Sequence, residues 1–204
     1  IAHCDIMDED GEIEIPVNGG EYLQNKNIVG SHIKNYDSML ILSHFKGHAM
    51  GGFGGALKNM SIGVASSHGK AWIHSAGRTN DTKIMWNLLD DQDGFLESMA
   101  EADKAVVEFF KAENMAYINV ANKISIDCDC VSNPADPEMA DIGIFASIDP
   151  VALDQCCYDT IINSNDPGKK SLIDRMEEKH AIHTVERAHE LGLGNREYEI
   201  INID

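Results

Sequence analysis

The sequence predicts an α/β fold with a mixed or mostly parallel sheet flanked by helices. Three observations support it: short apolar runs typical of buried strands, amphipathic segments with helical spacing, and alternation of the two along the chain. With 204 residues, of which 43% are hydrophobic, the chain is long enough to bury one sizeable core. We therefore predict a single α/β domain over residues 1–204.

The strands are predicted from two patterns. Some segments alternate polar and apolar side chains, as a half-buried strand does, and others are short apolar runs, as in a strand covered on both faces. The first residues of the chain also read as part of a strand. The other predicted strands cover residues 12–17, 38–42, 115–126, 142–147 and 197–203.

The helices follow from apolar residues at helical spacing and from terminal signals. Asp149 is the predicted cap of one helix and Pro150 its first residue. The other predicted helices cover residues 55–65, 95–112, 171–179 and 183–191. Residues 127–138 are a predicted loop, and residues 79–93 are predicted to be an exposed loop or a short helix. The first of these helices follows a strand and a glycine-rich segment, an order that places a ligand at the carboxyl edge of a sheet.

The glycine-rich segment has four glycines in five positions, Gly51, Gly52, Gly54 and Gly55. Glycine destabilises regular structure but lets the backbone approach a ligand closely, so ligand chemistry is the natural reason for this composition. The segment is neither a phosphate-binding P-loop nor a dinucleotide-binding fingerprint, because the required Gly-Lys-Ser/Thr and the third glycine are missing. Anion binding by free backbone N–H groups at the helix start stays open.

Histidines and lysines surround these glycines. Histidine is an effective acid or base near neutral pH and a common metal ligand, so His44, His48 and His74 are candidate site residues together with Lys46 and Lys58. The alternative for each histidine is a structural or simply exposed side chain, and the clustering around the glycines favours a site.

Two thiols one residue apart, Cys128 and Cys130, are candidate ligands of a soft metal or an iron–sulfur cluster. A simple loop turn is the alternative, since no second cysteine pair has cluster spacing. Cys156 and Cys157 are adjacent within an apolar helix and are predicted to be buried structural residues.

Composition limits the partners. The net charge of −18 argues against nucleic acid, no run approaches the length of a membrane-spanning helix, and five cysteines fit a reducing cytoplasm better than a secreted disulfide scaffold. We expect a cytoplasmic protein with a small-molecule ligand, no nucleic-acid or membrane partner, and a homo-oligomer as an open alternative.

Several motifs together resemble the domain of unknown function 362 family. The resemblance spans nearly the whole chain and rests on residues 44–48, 52–59, Gly69-Lys70, His74-Ser75, Cys128-Asp129-Cys130, 141–154 and 192–198. Many members carry a ferredoxin-like insert with two cluster motifs after the His-Ser pair, where this chain has only the cysteine-free residues 77–93. Members also extend upstream of Ile1, so the resemblance implies that the chain is the C-terminal part of a longer protein, without that insert.

A more distant resemblance, over about thirty residues, is to the nickel-pincer lactate racemases. That family has a histidine, a Gly-Phe-Ser-Gly-Gly-x-Lys loop and a later histidine at the spacing of His48, Lys58 and His74. The resemblance implies that His48 is an acid or base, Lys58 a cofactor or substrate anchor, and His74 a metal ligand. Gly54 replaces the serine of the loop, so the resemblance concerns a site and does not establish racemisation.

The sequence thus predicts a metal- or cofactor-dependent site at the His/Gly-rich loop, with enzymatic activity left undecided. The alternatives are an iron–sulfur electron-transfer protein that lacks its insert, and a non-catalytic anion-binding module. The cofactor stays open, with nickel, iron or zinc as candidate metals. The predicted catalytic residues are His48, Lys58 and His44, the cofactor-binding residues are Lys58, Lys46, Gly52, Gly54 and Gly55, and the metal ligands are His74, Cys128 and Cys130.

Overall fold

A computed structural model describes residues 4–203 of the chain. Over these residues, strands and helices follow one another in groups instead of alternating throughout as predicted: five strands, three α-helices, two strands and three α-helices. The strands are β1 (Glu12–Pro16), β2 (Lys26–Gly30), β3 (Met39–His44), β4 (Lys46–His48), β5 (Gly52–Gly54), β6 (Met115–Ala121) and β7 (Gly143–Ser147). The α-helices are α1 (Ala56–Val64), α2 (Ser67–His74), α3 (Gln92–Phe110), α4 (Pro150–Asn163), α5 (Lys170–Glu178) and α6 (Ile182–Glu190).

The central sheet has three strands in the order β3-β6-β7. Strand β3 runs parallel to β6, from Met39 opposite Met115 to His44 opposite Val120, and β7 runs antiparallel to β6. Two antiparallel pairs, β1 with β2 and β4 with β5, lie outside this sheet. The predicted α/β fold is therefore confirmed in its mixed form.

Helices cover one face of the sheet. Helices α1 and α4 pack on β3 and β6, and α3 lies behind them against α1 and α6. Ile41 and Tyr117 point into this core and are buried. On the opposite face Leu40, Leu42 and Ile144 are exposed, because successive side chains of a strand point to opposite sides.

The helix starts have identifiable causes. As predicted, Asp149 caps α4: its carboxylate accepts hydrogen bonds from the N–H groups of Val151 and Ala152, both at 2.9 Å, and Pro150 is the first helical residue. Ser66 caps α2 in the same way, by accepting a bond from the N–H of Gly69.

Some predicted elements were wrong or incomplete. The strand predicted at 197–203 is absent, since those residues belong to no sheet, and Ile200, Ile201 and Ile203 are exposed. Alternation alone does not supply the partner that a strand needs. Strand β2 was not predicted. Neither was the short pair β4 and β5, whose glycines have low strand propensity and form strands here through pairing. The strand predicted at the chain start falls largely on residues 1–3, outside the described residues.

Within the described part of the chain, no helix combines the length and the apolar character that crossing a bilayer requires.

Candidate functional site

A cavity of about 350 Å³ lies where β3 and β6 end. This is the carboxyl edge of the parallel pair, where ligands of α/β proteins commonly bind. The volume is within the range of small-molecule sites. The polar side chains that line it are Ser43, His44, Lys46, His48, Lys58, Asn59, Lys70, Cys128 and Asp129, and Gly54 and Gly55 contribute backbone.

The glycine-rich segment forms a tight hairpin instead of an open loop. His48 pairs with Gly52, and Lys46 with Gly54, as β4 turns back into β5. Gly52 has φ +77°, and a Cβ on it would collide with the Cβ of Ala181, so only glycine fits there. Gly54 differs: a Cβ would meet only the Cδ of Lys58, at 3.9 Å, which leaves Gly54 as a permissive part of the cavity wall.

The hairpin fixes the tautomer of His48. The N–H groups of Met50 and Gly51 both donate to its Nδ1, at 3.1 and 3.0 Å. The proton of the neutral ring is therefore on Nε2. Burial lowers the pKa of His48 to about 3, and the charges of Lys58 and His74 add to the effect. His48 is a neutral hydrogen-bond donor at physiological pH.

His74 has the opposite tautomer. Its Nδ1 lies 2.7 Å from the carbonyl oxygen of Lys70, which can only accept, so Nδ1 carries the proton and Nε2 keeps its lone pair. The ring stacks on Phe95 with 4.9 Å between centroids. Burial lowers the pKa of His74, and the positive charge of Lys58 does so too. A carbonyl partner of this kind is typical of histidines that accept a proton or bind a metal through the other nitrogen.

His44 is engaged through both ring nitrogens. Its Nε2 donates to the carbonyl oxygen of Asn122 at 2.7 Å, and its Nδ1 faces the Asp129 carboxylate at 3.1 Å. The same carboxylate lies 2.9 Å from the Nζ of Lys46. His44 thus lines the cavity but has no free nitrogen for proton transfer or metal binding.

Lysine charge dominates the cavity. Lys46, Lys58 and Lys70 all line it, and Asp129 is the one acid among its described lining residues. Because Asp129 bonds Lys46 and His44, it leaves Lys58 and Lys70 facing the cavity without an ion-pair partner there. Burial lowers the pKa of Lys58, and the neighbouring lysines oppose its protonation as well.

Cys128 lines the cavity, and Cys130 lies beside it on the surface. Burial opposes the Cys128 thiolate, but hydrogen bonds from Cys130 and the charges of Lys58 and Lys46 outweigh that effect and lower the pKa of Cys128. The hydrogen bond with Cys128 raises the pKa of Cys130.

The N–H groups at the start of helix α1 already bond a carboxyl group of the chain itself. Asp154, on α4, is fully buried and accepts hydrogen bonds from the N–H groups of Ala56 and Leu57 at 2.8 and 3.0 Å. The Asn119 amide donates a third bond to the same carboxyl at 2.7 Å. The predicted cradle of free backbone N–H groups is therefore not available at this helix start.

The described side chains do not fit a metal ion held by protein ligands alone. Among residues 4–203, no three histidine, cysteine, aspartate or glutamate side chains are grouped to hold one. The Nδ1 of His48 is occupied by two backbone donors, and His44 has no free nitrogen. The predicted ligand set of His74, Cys128 and Cys130 stays a prediction without a geometric site.

The structure brings most of the predicted site residues together. His44, His48, Lys46, Lys58, Gly54, Gly55 and Cys128 line one cavity. Gly52 instead packs against Ala181, His74 stacks on Phe95, and Cys130 is exposed.

Sequence reasoning missed Lys70 and Asp129 as site residues. Lys70 precedes His74 by one helical turn, a spacing that places both on one face of α2 and that was visible in the sequence. No comparable signal marks Asp129, which follows Cys128 directly.

Comparison with protein families finds a profile that matches most of the chain. The profile described as Domain of unknown function (DUF362) matches residues 2–159, which include every lining residue of the cavity. The chain belongs to the domain of unknown function 362 family. No curated protein and no solved structure matches it significantly.

The iron–sulfur cofactor of many members of the domain of unknown function 362 family does not fit this chain. Cys156 and Cys157 are buried in α4, Cys4 is exposed near the chain start, and only Cys128 and Cys130 lie at the cavity. Four thiolates around one cluster are therefore not gathered in the described residues.

Two glycines of this family member offer a matched test of the hairpin. We expect Gly52→Ala to lower the free energy of unfolding by about 2–4 kcal/mol, because the positive φ and the contact with Ala181 both resist a Cβ. Gly54→Ala should change it by less than about 0.5 kcal/mol. Chemical denaturation of both variants measures the difference, and equal destabilisation would contradict the assignment of Gly54 to the cavity wall.

Proposed function

We propose that the chain binds a small organic anion, a substrate or a cofactor, in the cavity at the end of β3 and β6. Lys58 is the anchoring amine and His48 the hydrogen-bond donor. The observation that carries the proposal is the convergence of Lys46, Lys58 and Lys70 on one cavity in a chain of net charge −18. An acidic protein that collects lysines at one place supplies an attractive field for anions there and repels them elsewhere.

The two buried histidines complement each other around Lys58. His48 offers an N–H group at Nε2, and His74 offers a lone pair at Nε2. His48 lines the cavity and can therefore donate a hydrogen bond to a bound molecule, whereas His74 lies outside the cavity lining. The His48 N–H group supports recognition of a carboxylate or phosphate ligand held by the lysines.

The lowered pKa of Lys58 also favours a covalent bond between its amine and the bound ligand. Burial increases the fraction of the neutral amine, which is the form that adds to a carbonyl or thioester group. An organic cofactor attached to Lys58 is thus a second candidate ligand of the same cavity. Electron transfer through an iron–sulfur cluster has no such support, because the cysteines are not gathered.

Titration with oxalate and with inorganic phosphate tests the proposal. Amide resonances of Gly54 and Gly55 should shift on addition of either anion, and the affinity should fall as ionic strength rises. Because the pKa of His48 is about 3, its ring keeps the same proton count between about pH 5 and 7, so titration of His48 should not change the affinity in that range. Shifts confined to other parts of the chain would contradict the proposal.

A further inference from the structure

Cys128 and Cys130 share one tight turn. The N–H of Val131 donates to the carbonyl oxygen of Cys128 at 2.9 Å, which closes a four-residue turn with the two cysteines at its first and third positions. Both thiols are free. The first and last Cα atoms of such a turn are less than about 7 Å apart, so Cys128 and Cys130 lie within the separation that a disulfide spans.

The two thiols differ in their surroundings. Cys128 is buried against the cavity, where Lys58 and Lys46 stabilise a negative sulfur, while Cys130 is exposed. The carboxylate of Asp129 lies between them in sequence but bonds Lys46 and His44, so it does not neutralise Lys58. This asymmetry is that of an attacking thiolate and a resolving thiol.

We propose that Cys128 and Cys130 form a reversible redox pair, which becomes a disulfide at the edge of the lysine-lined cavity by exchange with a low-molecular-weight disulfide. The Cys128 thiolate attacks one sulfur of that disulfide, whose S–S bond breaks and releases a thiolate with the electron pair. The Cys130 thiol then loses its proton to water and attacks the Cys128 sulfur, and the second thiolate leaves. Two protein thiols are oxidised to one disulfide, and the small disulfide is reduced to two thiols.

Oxidation changes the charge of the cavity. Cys128 and Lys58 line the same cavity, so an ionised Cys128 competes with an anionic ligand for the charge of Lys58. A disulfide carries no charge. At a pH that ionises Cys128, the oxidised chain should therefore bind an anion on the order of tenfold more tightly than the reduced chain, which is the effect of one unit charge over about 10 Å at an effective dielectric constant of about 20. The predicted change in anion affinity rests on the proposed function, whereas the formation of the disulfide does not.

Mass spectrometry of the whole chain tests the redox pair. The reduced protein is treated with dithiodiglycolate, an anionic disulfide, and with cystamine, a cationic one. We expect a Cys128–Cys130 disulfide with a mass lower by two hydrogen atoms, formed faster with the anionic probe because of the cavity lysines. The Cys130→Ser variant should stop at a mixed disulfide on Cys128, and the Cys128→Ser variant should leave Cys130 largely unreacted.

Two other cysteine environments serve as controls. Cys4 is exposed and shows that the probe reacts, whereas Cys156 and Cys157 are buried and should not react while the chain is folded. The proposal is overturned if the probe modifies Cys4 while Cys128 and Cys130 both stay reduced. So would a Cys130→Ser variant that carries no probe on Cys128.

The effect of oxidation on anion binding is measured separately. Affinity for oxalate is measured with the reduced chain, the oxidised chain and the Cys128→Ser variant, which lacks the thiolate in either state. Tighter binding by the oxidised chain and by the variant supports the charge argument, and equal affinities contradict that argument. A disulfide that forms in a chain with no oxalate affinity supports the redox pair and counts against the proposed function alone.

Discussion

Replacing Lys58 by methionine is expected to weaken the binding of oxalate or phosphate roughly 10- to 100-fold. Lys58 is largely buried at the cavity, so the loss removes a charge-assisted hydrogen bond in surroundings that screen it poorly. Methionine keeps most of the apolar stem, and the fold should therefore persist. Isothermal titration calorimetry of the variant and the wild-type chain measures the change.

Two variants control this experiment. Lys58→Arg keeps the positive charge and should retain part of the affinity, although a guanidinium cannot replace the neutral amine of a covalent anchor. Lys83→Met removes an exposed lysine that does not line the cavity, and should change the affinity by less than a factor of about two. Equal losses in Lys58→Met and Lys83→Met would show that net charge, not the cavity, controls binding.

The glycine-rich segment shows how far sequence reasoning reached. Its composition predicted a close backbone approach near Lys58 and His48, and the structure places both residues around one cavity with Gly54 and Gly55, while Gly52 packs against Ala181. Anion binding by free N–H groups at the helix start was left open by the sequence, and in the structure the N–H groups of Ala56 and Leu57 are already bonded. The group that occupies them, Asp154, is separated from Ala56 by 98 positions, and a contact of that range leaves no local signal in the sequence.

The same distinction between local and distant causes applies to the fold. The start of α4 was predicted from Asp149 and Pro150, because a cap is a local hydrogen-bond pattern. The pairing of β4 with β5 was not predicted, since glycines carry no strand propensity and the pair is set by the tight turn at His48 and by Gly52 packing on Ala181.

Asp154→Ala is expected to have the largest effect on stability. It would leave the buried N–H groups of Ala56 and Leu57 and the Asn119 amide without their acceptor, at a cost of about 3 kcal/mol at neutral pH. The start of α1 positions Lys58, so anion binding should weaken as well. Asp174→Ala removes an exposed ion pair with Lys170 and should cost less than about 0.5 kcal/mol. Urea denaturation measures both changes.

The loss of stability in Asp154→Ala should depend on pH, and this dependence identifies the Asp154 carboxyl as its origin. Burial raises the pKa of Asp154 to about 6 in the folded chain, although its hydrogen bonds from Asn119, Leu57 and Ala56 oppose the shift, whereas the unfolded carboxyl titrates near pH 4. Between these values the folded state binds more protons, so wild-type stability falls as pH rises through this window. The cost of Asp154→Ala should thus be about 2 kcal/mol greater near pH 4.5 than near pH 7.5.

Other titratable groups with shifted pKa values do not produce the same difference in cost between pH 4.5 and pH 7.5. Burial holds the pKa of Asp103 well above its usual range, and the charge of Asp154 adds to that shift. His48 and His74 have lowered pKa values, and their linkage acts in the opposite direction, favouring the fold as pH rises. Both histidines are present in the wild-type chain and in the variant, and their contributions cancel in the comparison. A cost of Asp154→Ala that is the same at both pH values would therefore show that the folded carboxyl is already ionised at pH 4.5. In that case the three hydrogen bonds would outweigh the burial of its charge.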